Sequence, residues 1–283
     1  QELGAMEIDI QLEDDSLGEK QDVASSRALF ERRAQTADQA LAILNIYVPE
    51  KKGMLDSLAG KPLVEKELFE KAAENQDQYM ATASRIVTLD KQIAESKAAV
   101  LKVQNQVEAL APWLSLTVPV SYTGTQKTAV LIGTMPNPQD QQSILNLLAG
   151  AVPDVEAVDV ELISTDKDFT YLAVICMKQD AGKVEEVLRT GGFSKPSSPV
   201  QKIPEEYKKD LEAEIAKAQE QVKQLESELA ECAVSRQDLE LISDYYRTRA
   251  EKYRILGEIP QTASTFAISG YVPVAKADAI VKE

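Results

Sequence analysis

Apolar residues recur at alternating spacings of four and three along residues 204–250: Leu211, Ile215, Ala218, Val222, Leu225, Leu229 and Cys232, with Arg236 interrupting before Leu239. A seam of that period, sustained over several heptads, predicts a coiled-coil helix and not an ordinary amphipathic one. Pro204 stands where a first helical residue belongs, and Glu205 and Glu206 place negative charge at the positive end of the helix dipole. The same spacing is unbroken over residues 65–110, through Leu68, Ala72, Asn75, Tyr79, Thr82, Ile86, Leu89, Ile93, Ser96, Val100, Val103, Val107 and Leu110, until Ala111-Pro112 ends it. At 1.5 Å per residue each segment would make a rod roughly 70 Å long. The two rods match in length, which predicts an antiparallel pair, one helix running out and the other back. Asn75, Thr82 and Ser96 would tune its register at some cost in stability, and a repeat near 3.5 predicts a left-handed supercoil.

Between the rods the pattern changes to strand chemistry. Leu116, Val118, Val120 and Tyr122 alternate with polar residues, and Pro119 marks that run as an edge strand. Residues 128–134 then read as a strand, 138–148 as a helix, 155–163 and 169–177 as strands, and 181–189 as a helix. The order β-α-β-β-α predicts a small ferredoxin-like α/β lobe with helices over one face of its sheet. Gly191-Gly192 and the Lys195 to Pro199 run form its exit.

The flanks suggest a second lobe. Gln1-Glu2-Leu3-Gly4 reads as the end of a helix whose beginning is missing, so the N-terminus is expected to be truncated; Ile8, Ile10 and Leu12 follow on one side of a strand. Ser16-Leu17-Gly18-Glu19 matches a capping box that opens a helix over residues 17–47, stopped by Val48-Pro49, and residues 50–63 form a loop. After the returning rod Gly257 and Pro260 break the helix, residues 266–272 read as a strand, and residues 273–281 begin another helix. The expected fold is therefore α+β: two small α/β (ferredoxin-like) lobes joined by a long antiparallel α-helical coiled coil. Its divisions are a lobe of residues 1–16 plus 260–283, truncated at both ends, a rod of 17–112 plus 200–259, and a distal lobe of 113–199.

Composition narrows the function. The chain has 283 residues, 27% charged and only 5% aromatic, which suits a rod with small lobes better than one large enzyme domain. A net charge of −15 without a basic patch argues against nucleic acid as partner. Cys176 and Cys232 lie in apolar runs and read as small buried hydrophobes. No apolar run reaches the ~18 residues of a membrane span and no signal peptide opens the chain, so the fragment itself is expected to be soluble and cytoplasmic.

No motif nominates a reaction. With no histidine, His-dependent nucleophile pairs and histidine metal sites are excluded. Gly124-Thr125-Gln126-Lys127-Thr128 lacks the earlier glycine of a phosphate loop and precedes a strand, so it reads as a turn. Glu13-Asp14-Asp15 reads as a solvated turn, and pairs such as Glu205 and Lys209 as solvated helix faces. No catalytic, cofactor-binding or metal residue is assigned, and no cofactor is expected. Gly133-Thr134-Met135-Pro136 and Gly270-Tyr271-Val272-Pro273 share one strand-to-helix junction, with glycine where a side chain would not fit.

The chain resembles the N-terminal cytosolic domain of subunit I of V/A-type rotary ATPases, the counterpart of eukaryotic V-ATPase subunit a. The resemblance rests on Leu3-Gly4-Ala5-Met6-Glu7-Ile8, on Val130-Leu131-Ile132-Gly133-Thr134-Met135-Pro136, and on Phe266-Ala267-Ile268-Ser269-Gly270-Tyr271-Val272-Pro273, spaced around the two long helical segments. It implies a non-catalytic stator arm at the cytoplasmic face of the membrane, linking the ion-translocating domain to the peripheral stalks and resisting rotor torque during ATP-driven ion transport or ATP synthesis. The partners it implies are peripheral-stalk heterodimers of subunits E and G, other subunits of the rotary ATPase, and a membrane domain following this fragment. Each lobe can offer an edge strand or a helix face to such a partner. The alternative is a regulatory ligand-binding module on a coiled-coil scaffold, since small β-α-β-β-α lobes can bind amino acids or nucleotides.

Overall fold

The computed structural model describes residues 7–9, 19–50, 64–197, 199–262, 264–265 and 269–271. Its elements begin with β1 (Glu7–Asp9), β2 (Glu19–Lys20) and α1 (Ala24–Tyr47). Both heptad segments fold as helix, and each is broken once. The first is α2 (Lys66–Glu74) and α3 (Gln76–Leu110), divided at Asn75, whose side-chain amide donates to the Lys71 carbonyl oxygen at 2.9 Å. Between them and the returning helices lie β3 (Thr128–Pro136), α4 (Gln141–Ala151), β4 (Val158–Thr165), β5 (Phe169–Met177) and α5 (Ala181–Thr190). The second segment is α6 (Pro204–Glu231) and α7 (Arg236–Glu258), separated by a 3-10 turn at Cys232–Ser235 and followed by β6 (Pro260–Gln261) and β7 (Ser269–Tyr271). The chain is thus α+β, with helices and a small antiparallel sheet.

The chain divides into two compact units, Gln1–Ala94 with Lys223–Glu283, and Glu95–Val222. In the first, α1 lies along α7, and α2 packs on α7. Ala34, Ala37 and Ala40 are buried on α1, and Ala34 and Ala37 meet a large-residue face on α7, where Ile242, Tyr245 and Tyr246 are buried. Small residues on one helix let the backbones approach while the tyrosines fill the remaining volume. Phe30 stacks on Tyr246 at 6.0 Å between ring centroids. Two short antiparallel pairs, β1 with β7 and β2 with β6, join the early and late parts of the chain. In this unit α3 and α6 are tied by the Arg85–Glu228 ion pair at 3.2 Å.

The start of α1 departs from the sequence expectation. Residues 17–18 lie outside the described residues, Glu19–Lys20 pair with Pro260–Gln261, and the helix begins at Ala24, whose amide donates to Asp22 Oδ1 at 3.1 Å. Pairing with a strand distant in sequence overrides the local capping signal, because helical backbone at Glu19–Lys20 could not also pair with β6. α7 ends at Glu258, between Gly257 and Pro260 as expected; Gly257 lies in its last turn, where a Cβ would come within 2.6 Å of Val23 Cγ2. The expectations for residues 1–4, 13–15, 51–63 and 273–281 lie outside the described residues.

The second unit carries the three-stranded sheet, in the order β3-β5-β4 and antiparallel throughout. This is the arrangement of a split β-α-β unit, with a single bridge from Ser194 to Thr134 at the fourth strand's position. Leu131, Met135, Leu172 and Val174 face α4 and α5, whose Ile144, Leu148, Val184 and Leu188 cover them. The opposite face, with Ile132 and Ala173, is covered by Trp113, Leu116 and Val120. The edge strand expected from Leu116, Val118, Val120 and Tyr122 does not form: residues 114–123 run as turns and irregular chain. Its apolar residues instead cap the sheet face, and Trp113 meets Tyr171 edge-on at 5.1 Å. Alternation in the sequence reported burial here, not pairing. In this unit Val103 and Leu110 of α3 pack with Leu211 of α6.

Candidate interaction site

The residue that breaks the returning seam, Arg236, is buried at the first position of α7. Its guanidinium donates to Asn45 Oδ1, to the Leu44 carbonyl oxygen at 3.4 Å and to the Val48 carbonyl oxygen at 2.6 Å, and it pairs with Glu50 at 3.3 Å. The last carbonyls of a helix lack partners within it and carry the negative end of its dipole. Arg236 supplies both donors and charge to that end of α1. The seam position that looked like a defect is a clamp between the end of α1 and the start of α7.

A line of polar contacts continues the clamp along α1 and α7. Ser243 Oγ donates to Asp38 Oδ1 at 2.6 Å, and Arg247 donates to Asp38 Oδ2 at 2.7 Å. Arg33 donates to the Tyr246 hydroxyl at 2.9 Å, and that hydroxyl donates to Gln76 Oε1 on α3 at 3.1 Å. Burial pushes the Tyr246 hydroxyl above its ordinary pKa, with Arg33 opposing part of the rise. Burial also raises Tyr79, helped by the charge and hydrogen bond of Asp238. Both phenols stay neutral and remain donors at physiological pH. The network orients three helices against one another.

The sheet unit offers less open edge than its strand order suggests. β4 lies at the edge, yet the Val160 amide donates to Asp159 Oδ1 at 3.0 Å and the Val160 carbonyl accepts from Gln141 Nε2 at 2.6 Å. Farther along, Ser115 Oγ donates to the Ile163 carbonyl at 3.1 Å. Side chains thus occupy groups that another strand would need, a common guard against edge-to-edge association. On the other edge Thr134 exchanges backbone hydrogen bonds with Ser194, both at 2.9 Å, and the Val130 amide donates to the Thr123 carbonyl at 3.0 Å.

The motifs weighed in the sequence take structural places. The Thr125 amide donates to the Thr128 carbonyl at 3.0 Å, and Gly124 has φ 109°, so residues 124–128 close a tight turn into β3. At Gly133 a Cβ would lie 2.4 Å from the Phe193 ring and from the Ser194 carbonyl oxygen. That glycine admits the Phe193 side chain and the bridge beside β3. Gly270 is in β7, paired with Ile8, and Pro273 lies outside the described residues. Cys176 is buried and Cys232 half-buried; burial, the largest cause, raises both thiols, which disfavours the reactive thiolate. Among the described residues no cluster of three or more metal-ligating side chains occurs, and no helix is long and apolar enough to cross a membrane. Sequence reasoning missed Asp38 and Tyr246, which look like an ordinary polar face and an ordinary core aromatic. Arg236 was legible only as an anomaly in the seam.

No protein-family model and no curated protein matches the sequence. Among solved structures, the chain is similar to the crystal structure of the cytoplasmic N-terminal domain of subunit I, a homolog of subunit a, of V-ATPase. The superposition covers 100% of this chain and 90% of that one, with a TM-score of 0.54 and 17% sequence identity. The chain therefore has the fold of the cytoplasmic N-terminal domain of a V-ATPase subunit I.

Proposed function

We propose that the chain is the cytoplasmic arm of a V/A-type rotary ATPase, a non-catalytic subunit of the subunit I kind. In this role it links an ion-translocating membrane domain to the peripheral stalks and resists rotor torque while ion transport is coupled to ATP hydrolysis or synthesis. The observation that carries the reading is the whole-chain likeness to that subunit's cytoplasmic domain.

The physical character of the molecule supports it. In this reading α3 and α6 form an antiparallel coiled coil joining two α/β lobes, one of residues 113–199 and one of residues 1–16 plus 260–283; within single units, the Arg85–Glu228 ion pair and the packing of Val103 and Leu110 with Leu211 support the pairing of these helices. The antiparallel pairing of Glu7–Asp9 with Ser269–Tyr271 supports a lobe drawn from both parts of the chain. A strut under torque needs helix ends that do not fray, and the Arg236 clamp secures one. The stalk partners, heterodimers of subunits E and G, bind through helices against lobe helix faces such as those of α4 and α5, since side chains already occupy part of the β4 edge.

The direct test is association of the purified chain with an E and G heterodimer. The expected result is saturable binding at low micromolar concentration; no association at about 100 μM would refute the assignment.

A further inference from the structure

Beyond Arg236, the cations of α7 fall into two groups. On the side facing α1, Arg247 is paired with Asp38 at 2.7 Å, and Arg254 is paired with Glu251 at 2.6 Å and Glu258 at 3.0 Å. On the side facing α2, Arg249 and Lys252 have no ion pair among the described residues. They line a groove between α2 and α7 whose floor is Phe69 and Tyr245, with ring centroids 5.6 Å apart. Arg249 lies 5.3 Å above the Tyr245 ring and donates to its hydroxyl at 3.1 Å. On the facing wall Lys66 is 3.6 Å from Glu70. The groove thus carries three cations against one carboxylate in a chain whose net charge is −15.

We propose that this groove docks an acidic amphipathic helix of a partner protein. Tyr245, Arg249 and Lys252 are spaced by four and three residues, so they line one stripe of α7 about two turns long. That length matches a helix laid along the stripe with one apolar side chain over Phe69 and carboxylates turned to Arg249 and Lys252. Lys66, Glu70 and Lys252 along the groove are exposed, which suits a partner laid on the surface. Charge complementarity selects the acidic sign, and the exposed rim makes the attraction sensitive to salt. The site is separate from α4 and α5 and does not depend on the rotary-ATPase reading.

Fluorescence anisotropy of the full chain with a labelled helical peptide of about 14 residues, bearing one Leu-Phe anchor face flanked by Glu, tests the site. The expected result is saturable binding that weakens about tenfold in Lys252→Glu and is lost when the peptide's Glu residues are replaced by Lys. Lys252 is exposed, so an unchanged melting temperature separates a lost contact from lost folding. Absence of saturable binding at about 200 μM overturns the proposal. Equal affinity of Lys252→Glu for the peptide also overturns it. Binding of phosphatidylserine vesicles to the wild type but not to Lys252→Glu, with no peptide binding, would assign the groove to a membrane surface instead.

Discussion

The sheet unit and the α1–α7 seam bury their interiors by opposite means. In the sheet unit the filling is mainly apolar: Leu172, Val174, Ile144, Val184 and Leu188 are wholly buried beside the polar Thr170, whose hydroxyl donates to the Asn137 carbonyl at 2.9 Å, while ion pairs such as Lys183–Asp154 remain at the surface. In the seam, alanines bring two helices close, and polar groups are buried with their partners: Arg236, Ser243 and Tyr246 all donate to α1 or α3. A sheet face can be covered by any shape of apolar chain, as the irregular 114–123 segment illustrates. A helix that ends beside another helix has carbonyls to satisfy, and a buried cation does that where a leucine would not. The first interior is vulnerable to lost volume, the second to lost partners.

The largest expected effect is therefore at Leu172. Leu172→Ala leaves a cavity among Leu131, Val174 and Leu188 and should cost about 3 kcal/mol. Hydrogen exchange should rise in β3, β4 and β5 and stay unchanged in α1; equal loosening of α1 would show that the two interiors are not energetically separate.

Next comes Arg236→Met, which keeps much of the volume and removes every polar contact. About 2 kcal/mol should be lost, with faster exchange centred on the last turn of α1. Buried ion pairs can be replaced by apolar residues at no cost. Undiminished stability in denaturant would place Arg236 in that class and erase the contrast with the sheet.

The smallest effect is on pH dependence. In the sheet unit Asp140 is held below the usual carboxylate range by its hydrogen bonds with Ser143, Asp154 by Lys183, Asp166 by the amides of Asp168 and Phe169, and Glu185 by Lys195. In the helical unit Glu251 is lowered by Arg254. A carboxyl whose pKa is lower in the folded state stabilises the fold above its unfolded value, about 4, and that contribution disappears as pH falls through the folded value. Denaturation at pH 7 and at pH 3 should show a modest acid loss concentrated in the sheet unit, because these groups are solvent-screened. A larger loss in the α1–α7 seam would reverse the assignment.

The periodic parts of the chain were readable at once. Leu211, Val222, Leu229 and Leu239 on one segment, and Ile86, Leu89, Ile93 and Val103 on the other, are buried as the four-three spacing requires. The strand at Phe169–Met177 and the helix start at Ala181 also agree with the reading. The misreadings at Leu116 and at the start of α1 have one cause. Alternation and capping boxes are local signals, whereas the cover of a sheet and the pairing of Glu19 with Gln261 depend on chain that arrives from far away. Of the candidate site, Arg236 left a mark in the sequence because it occupies an apolar position, but its purpose lies in the Leu44 and Val48 carbonyls, which no spacing reveals.

By itself the sequence determined most of the helices, the strands of the three-stranded sheet and the inward side of much of each, because those follow from periods of 3.5 and 2 carried by neighbouring residues. The tertiary structure decided where the long helices break, which segment covers the second face of the sheet, and what a buried arginine is for. Each of those choices satisfies a backbone group or an apolar face with a partner distant in the chain, and that partner exists only once the fold has formed.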